Sequence, residues 1–279
     1  MTRPVVALAT LLLALPTVAR AQYGAAAQVS MTVSELTARE LNGITLHVYD
    51  ATLTWSGSCS KGNRVAHNGI IESSGPNGWS GGEIMPDGVL SGGGTHTHQN
   101  IGPGQVLRGV SSTACGDNAG SEVKDAKTQP YVLPPYIDGR PVIFTSTPAQ
   151  FFHCLPVGTE VQLTPSFQNH LVQGEQVELA FKGAGVDFVK RFSTSDEITS
   201  TKLLLKATTT GDVEFTVTKL GSYDGVAFPP AKSNVFVIKA DRSDACAILS
   251  GDGDPDPQDP GDDEEPDQVP EGPGEAATG

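Results

Sequence analysis

His96-Thr97-His98 is the run in this chain whose residue types and spacing best suit chemistry. On a β-strand, residues i and i+2 point to the same face, so two imidazoles there can share one copper or zinc ion. A third ligand would come from His47, His67 or His153. The competing reading is a polar loop that follows Gly92-Gly93-Gly94. Gly78-Trp79-Ser80-Gly81-Gly82 has the G-x-S-x-G spacing that can lift a nucleophilic serine onto a sharp strand-to-helix turn. The residues after it, Glu83-Ile84-Met85-Pro86-Asp87-Gly88, make a poor helix start, so the match reads as chance. Trp55, Trp79, Tyr131 and Tyr136 could offer flat faces to sugar rings, or simply pack a small β core. Asp252, Asp254 and Asp256 alternate in a way that suits Ca²⁺, but Pro255 and Pro257 stiffen the run, which reads as a solvated spacer. There is no P-loop, dinucleotide fingerprint or H-E-x-x-H helix, and no cofactor is expected.

The compartment decides how the sulfur is read. Arg3 precedes an uncharged block from Val5 to Leu15, Pro16 breaks it, and Ala19-Arg20-Ala21 ends it with small residues before Gln22. That is the pattern of a cleavable secretory signal over residues 1–21. The block is too short for the roughly 20-residue helix that crosses a bilayer. No transmembrane segment is expected, and the mature chain should be secreted, periplasmic or on the cell surface. Cys59, Cys115, Cys154 and Cys246 would then meet an oxidising environment and form disulfides. Several connectivities are open. Cys59–Cys115 with Cys154–Cys246 is preferred, because it keeps each bridge inside one expected domain. A four-thiolate metal site is the weaker alternative, since no C-x-x-C pair is present.

The formal net charge of −14 is concentrated rather than spread. Residues 251–279 carry 11 acids and no Lys or Arg. Like charges and Pro there argue for a disordered tail over 249–279. The body is only mildly acidic and has no basic stripe, which excludes nucleic acid as a partner.

The elements that must hold these residues read as β-strands. From about residue 156, Val161-Gln162-Leu163, Val177/Leu179/Phe181, Asp187 to Phe192, Lys202 to Ala207, Val213/Phe215/Val217 and Asn234 to Lys239 make six short segments with glycines between them. Their Gly-Glu-x-Val-x-Leu at 174–179, Gly-x-Val-x-Phe-x-Val at 211–217 and Ser-Asn-Val-Phe-Val-Ile at 233–238 resemble the immunoglobulin-like modules of bacterial exported proteins. The resemblance covers 156–240 and implies a β-sandwich without implying a function. His96-Thr97-His98 is similar to the His-x-His copper pair of copper–zinc superoxide dismutases. The rest of that family's pattern is not recognisable, so its activity is not carried over.

The first half also alternates, at Val29/Met31/Val33, Ile44/Leu46/Val48, Ala51/Leu53/Trp55, Val106 to Val110 and Pro141 to Thr145. Between Cys59 and Leu107 the chain is rich in Gly, Ser and Asn and reads as long loops. The expected organisation is all-β, with a β-rich domain over 22–153, an immunoglobulin-like sandwich over 154–248 and the acidic tail. The function expected is that of an exported, non-enzymatic structural, adhesive or binding protein whose partner is a surface protein or a glycan. The alternative is a metal-binding protein or metalloenzyme that uses His96 and His98.

Overall fold

In the computed structural model the alternating stretches are strands, and the chain is all-β. The structure describes residues 23–62, 64–75, 79–84, 90–117 and 120–247. The segment over 1–21 expected as a signal, and the acidic stretch with Asp252, Asp254 and Asp256, lie outside the described residues.

The first half contains β1 (Ala26–Val33), β2 (Thr37–Leu41), β3 (Ile44–Ser58), β4 (Arg64–Ser73), β5 (Trp79–Ile84), β6 (Ser91–Ile101), β7 (Val106–Asp117), β8 (Gly120–Lys127) and β9 (Tyr131–Val132). In one sheet β3 pairs with β1, β2 and β6, and in the other β5-β4-β7-β8 run in order with β9 beside β7. The two alternations at Ile44/Leu46/Val48 and Ala51/Leu53/Trp55 belong to one long strand. A register irregularity between Tyr49 and Ala51 joins them. The β2–β3 hairpin closes on Asn42 (φ 54°) and Gly43 (φ 79°), the Asn-Gly pair suited to a two-residue turn of this hand.

The region from Cys59 to Leu107, expected as long loops, carries three strands instead. Its glycines make room for large side chains between the two sheets to which these strands belong. The Trp55 indole lies against Gly69, where a Cβ would come within 2.5 Å of the ring, and against Gly94, where the approach would be 2.7 Å. Gly69→Ala must therefore displace a large buried side chain. A loss of about 1–3 kcal/mol is expected, the usual cost of overpacking, read by urea denaturation followed through tryptophan fluorescence. A change below about 0.5 kcal/mol would show that Trp55 has room to move.

The second half contains β10 (Val142–Ser146), β11 (Ala149–Phe152), β12 (Leu155–Pro156), β13 (Glu160–Thr164), β14 (Glu175–Gly183), β15 (Val186–Phe192), α1 (Ser195–Ser200), β16 (Leu203–Lys206), β17 (Gly211–Tyr223), β18 (Val226–Ala227), β19 (Ala231–Lys232), β20 (Phe236–Asp241) and α2 (Ser243–Cys246). The sheet β11-β10-β13-β16 faces the sheet β12-β20-β17-β14-β15, with β18 and β19 on β17. Between them Phe181 and Phe215 stack at 4.5 Å among buried Val177, Leu179, Val213 and Val217. β10 pairs with β13. Residues 142–152 thus belong to this sheet rather than to a domain ending at 153. Ile143 and Phe152 are in the second core.

Both disulfides form as preferred, Cys59–Cys115 and Cys154–Cys246. They point to an oxidising, extracytoplasmic environment. Among the described residues no helix is long and apolar enough to cross a membrane.

Candidate functional site

His96 and His98 sit on β6, a strand and not a loop, opposite Leu53 and Ala51 of β3. Both are half-buried, in the phase of β6 that alternates with exposed Thr95, Thr97 and Gln99. Burial lowers the proton affinity of His98, neighbouring His96 lowers it further, and Asp50 opposes both. The His98 imidazole is expected to titrate below 6.5 in NMR spectra of the ring protons. Because the folded chain binds this proton less tightly than the unfolded one, the group withdraws stability as pH falls below 6.5. A midpoint above 6.5 would reverse that sign.

The third ligands considered from sequence are not brought to this pair. His47 stacks on Tyr136 with ring centroids 3.9 Å apart. His67 is buried and holds Thr113 Oγ1 at 3.1 Å from Nδ1, beneath Gly57. His153 lies just after β11, where its carbonyl accepts from Arg140 Nη1. Among the described residues no three His, Cys, Asp or Glu side chains are grouped to hold a metal ion.

Ser80 lies within β5, its backbone opposite Ile70 of β4. This is not the strand-to-helix turn that a serine nucleophile uses. The candidate sugar-stacking aromatics are dispersed. Trp55 is buried between sheets, Tyr136 is covered by His47, and Tyr131 is exposed. The Trp79 side chain lies outside what is described.

The outward face of the β1-β3-β6 sheet has a more consistent chemistry. Register puts Thr32, Thr52 and Thr97 in one row and Ser30, Thr54 and Thr95 in the next. Gln28, Ser56 and Gly93 follow, then Ala26, Ser58 and Ser91. Thr52 Oγ1 meets Thr97 Oγ1 at 2.9 Å, and Thr54 Oγ1 meets Thr95 Oγ1 at 3.3 Å. No charged residue occupies this patch. Sequence reading followed the apolar phase of these strands. The other phase, mostly Ser, Thr and Gln with Ala26 and Gly93 among them, carries no charge in these four rows.

The buried ionisable groups are spent elsewhere, where the first half meets the second. Lys219 and Glu175 side chains are both fully buried and 2.8 Å apart. Lys219 Nζ also donates to the carbonyls of Gly104 and His170. Burial lowers the proton affinity of Lys219, and Glu175 opposes that shift. Nearby, Arg108 of β7 binds Glu72 at 2.6 Å and Asp224, in the β17–β18 turn, at 2.9 Å. Its guanidinium lies 5.1 Å from the Tyr223 ring centre. Val106, Val132 and Phe228 form a small apolar cluster beside them. Arg108 holds the Asp224 carboxyl below its ordinary 3.8. The Asp224 contribution is thus present above 3.8 and lost as pH falls through the lower folded value. Arg108→Met is expected to return the Asp224 midpoint toward 3.8 in a carboxyl NMR titration. An unmoved midpoint would assign the shift to another neighbour.

No protein-family model matches the chain, and no curated protein aligns with it.

Proposed function

We propose that this is an exported, non-enzymatic adhesive or binding protein, working at the cell surface or in the extracellular space. The residues from 156 to 240 would serve as an immunoglobulin-like module carrying the N-terminal sheet. The binding surface in this reading is the outward face of β1-β3-β6, and its partner is an uncharged glycan. The observation that supports it is the uncharged, predominantly Ser/Thr/Gln chemistry of the four rows on that face. Hydroxyl rows can exchange hydrogen bonds with sugar hydroxyls, and a neutral patch imposes no desolvated charge on a neutral polymer.

The test is co-sedimentation with insoluble cellulose and chitin, with pectin as the anionic comparison. Retention on a neutral polymer that survives 1 M salt is expected, since no ion pairs carry it (about 3 Å of Debye screening at that strength). Thr54→Glu, a strand-surface change, should reduce the retained fraction at least tenfold while leaving the melting temperature in place. Retention that ignores this substitution, or no retention on either neutral polymer, would remove the reading.

A further inference from the structure

We propose that the β2–β3 turn is a self-modification site, where the Asn42 side chain closes onto the Gly43 backbone and hydrolyses to an acidic, mainly isoaspartyl, linkage. The proposal is independent of the glycan reading, which concerns the outward face of β1-β3-β6.

The chemistry needs only water and its hydroxide. The Gly43 backbone nitrogen gives up its proton and bonds to the Asn42 Cγ. The bond from Cγ to the carboxamide nitrogen breaks, and that nitrogen leaves as ammonia with a proton from water. The product is a five-membered succinimide. Water then adds at one of its two carbonyls. Opening at the backbone carbonyl routes the chain through Cγ and leaves a free α-carboxylate, the isoaspartyl form. Opening at Cγ leaves an ordinary aspartate. One water is consumed and one ammonia released, and nothing is oxidised or reduced. Glycine is the following residue that least obstructs the attacking nitrogen, because it has no side chain.

Three described residue pairs carry the local sequence for this ring closure, and the structure separates them. Asn42 and Gly43 are both exposed at the tip of a hairpin, and a Cβ on Gly43 would meet nothing within 4 Å. The flanking Leu41 and Ile44 are exposed too, so little packing holds the turn in one conformation. Asn68-Gly69 is the same dipeptide in the middle of β4. It is paired with Gly82 and Gly81 of β5 on one side and with Ser112 and Ser111 of β7 on the other. Gly69 is buried under the Trp55 ring, out of reach of hydroxide. Asp224-Gly225 forms a turn of the same hand (φ 49° and 74°), but Arg108 Nη2 holds the Asp224 carboxylate at 2.9 Å. A carboxylate held ionised is a poor target for the amide nitrogen. Asn77-Gly78 lies outside the described residues.

The product changes the hairpin. Leu41 and Ile44 stand directly opposite each other across a two-residue turn. An isoaspartyl linkage adds a methylene to that turn and a carboxylate two residues from Glu40, so the tip loses its register.

The experiment incubates the mature chain in mildly alkaline buffer, folded or unfolded in urea. After reduction and trypsin digestion, mass spectrometry follows residue 42 in the peptide 40–61 and residue 68 in the peptide 65–108. In the folded chain, conversion at Asn42 should run at least tenfold faster than at Asn68. In urea the two rates should converge, since Leu-Asn-Gly-Ile and His-Asn-Gly-Ile present the same reacting pair. The converted peptide 40–61 should accept a methyl group from an isoaspartate-directed carboxyl methyltransferase. Asn42→Gln, which would have to close a less favourable six-membered ring, should remove both the conversion and the methyl acceptance while leaving residue 68 unaffected. Equal rates at the two sites in the folded chain, or conversion at Asn42 only after unfolding, would overturn the proposal. So would a converted peptide that accepts no methyl group.

Discussion

Lys219→Met is expected to lower the free energy of unfolding by about 3–5 kcal/mol, the cost of leaving a buried partner charge uncompensated. Both side chains of the Lys219–Glu175 pair are sealed from solvent. Removing the ammonium strands the Glu175 carboxylate and also frees the carbonyls of Gly104 and His170 from their donor. Of these groups Gly104 alone belongs to the first half of the chain. It can approach so closely because it has no side chain, as a Cβ there would fall 2.6 Å from the Asn169 Cα. The substitution should therefore loosen the two halves as well as weaken the whole. Urea denaturation read by tryptophan fluorescence reports the first half, where both tryptophans lie. Far-UV circular dichroism reports both halves. The two curves should coincide in the parent protein and separate in the variant. Adding Glu175→Gln should restore part of the loss, because the stranded charge goes with it, and the two changes will not be additive. A loss below about 1 kcal/mol, with coincident curves, would reduce the pair to an incidental contact.

This pair was legible in the sequence and was passed over. The apolar phase of β17 runs Val213, Phe215, Val217, and its next member is Lys219. The phase of β14 runs Phe181, Leu179, Val177 backwards, and its next member is Glu175. Register then makes Val177 the partner of Lys219, which brings the two charges diagonally together. A charge of each sign at the same end of two inward phases is a sign of a buried ion pair. Six strands of the second half, β13 to β17 and β20, were readable because period-two alternation there is strong. The three strands between Cys59 and Leu107 were not, because glycine carries no polarity to alternate. Gly57, Gly69 and Gly94 are inward positions emptied so that His67, Thr113 and Trp55 can fill the space. The His-x-His pair was readable as a spacing, but its strand was hidden by the adjoining Gly92-Gly93-Gly94. Its placement on a strand that pairs with β3 depends on topology, which no local pattern carries.

The second large effect concerns the bridge that closes the second sandwich. Cys154 and Cys246 are 92 residues apart, and the loop they close contains β12 to β20. In the chain-entropy account such a closure removes about 4–5 kcal/mol of unfolded-state freedom. Cys154→Ala with Cys246→Ala is therefore expected to lower the unfolding free energy by about that amount, more than most core substitutions cost. The native contacts around the bridge do not depend on it alone. His153 N donates to the Cys246 carbonyl at 3.0 Å, and Phe152 bridges Ala247. The variant should thus keep its near-UV circular dichroism spectrum at low temperature and lose midpoint on denaturation. The Cys59–Cys115 bridge spans 56 residues and offers a control. Because the entropy grows with the logarithm of loop length, its removal should cost only about 0.4 kcal/mol less. A gap of about 2 kcal/mol between the two double variants would mean that packing around one bridge, and not loop closure, sets its worth.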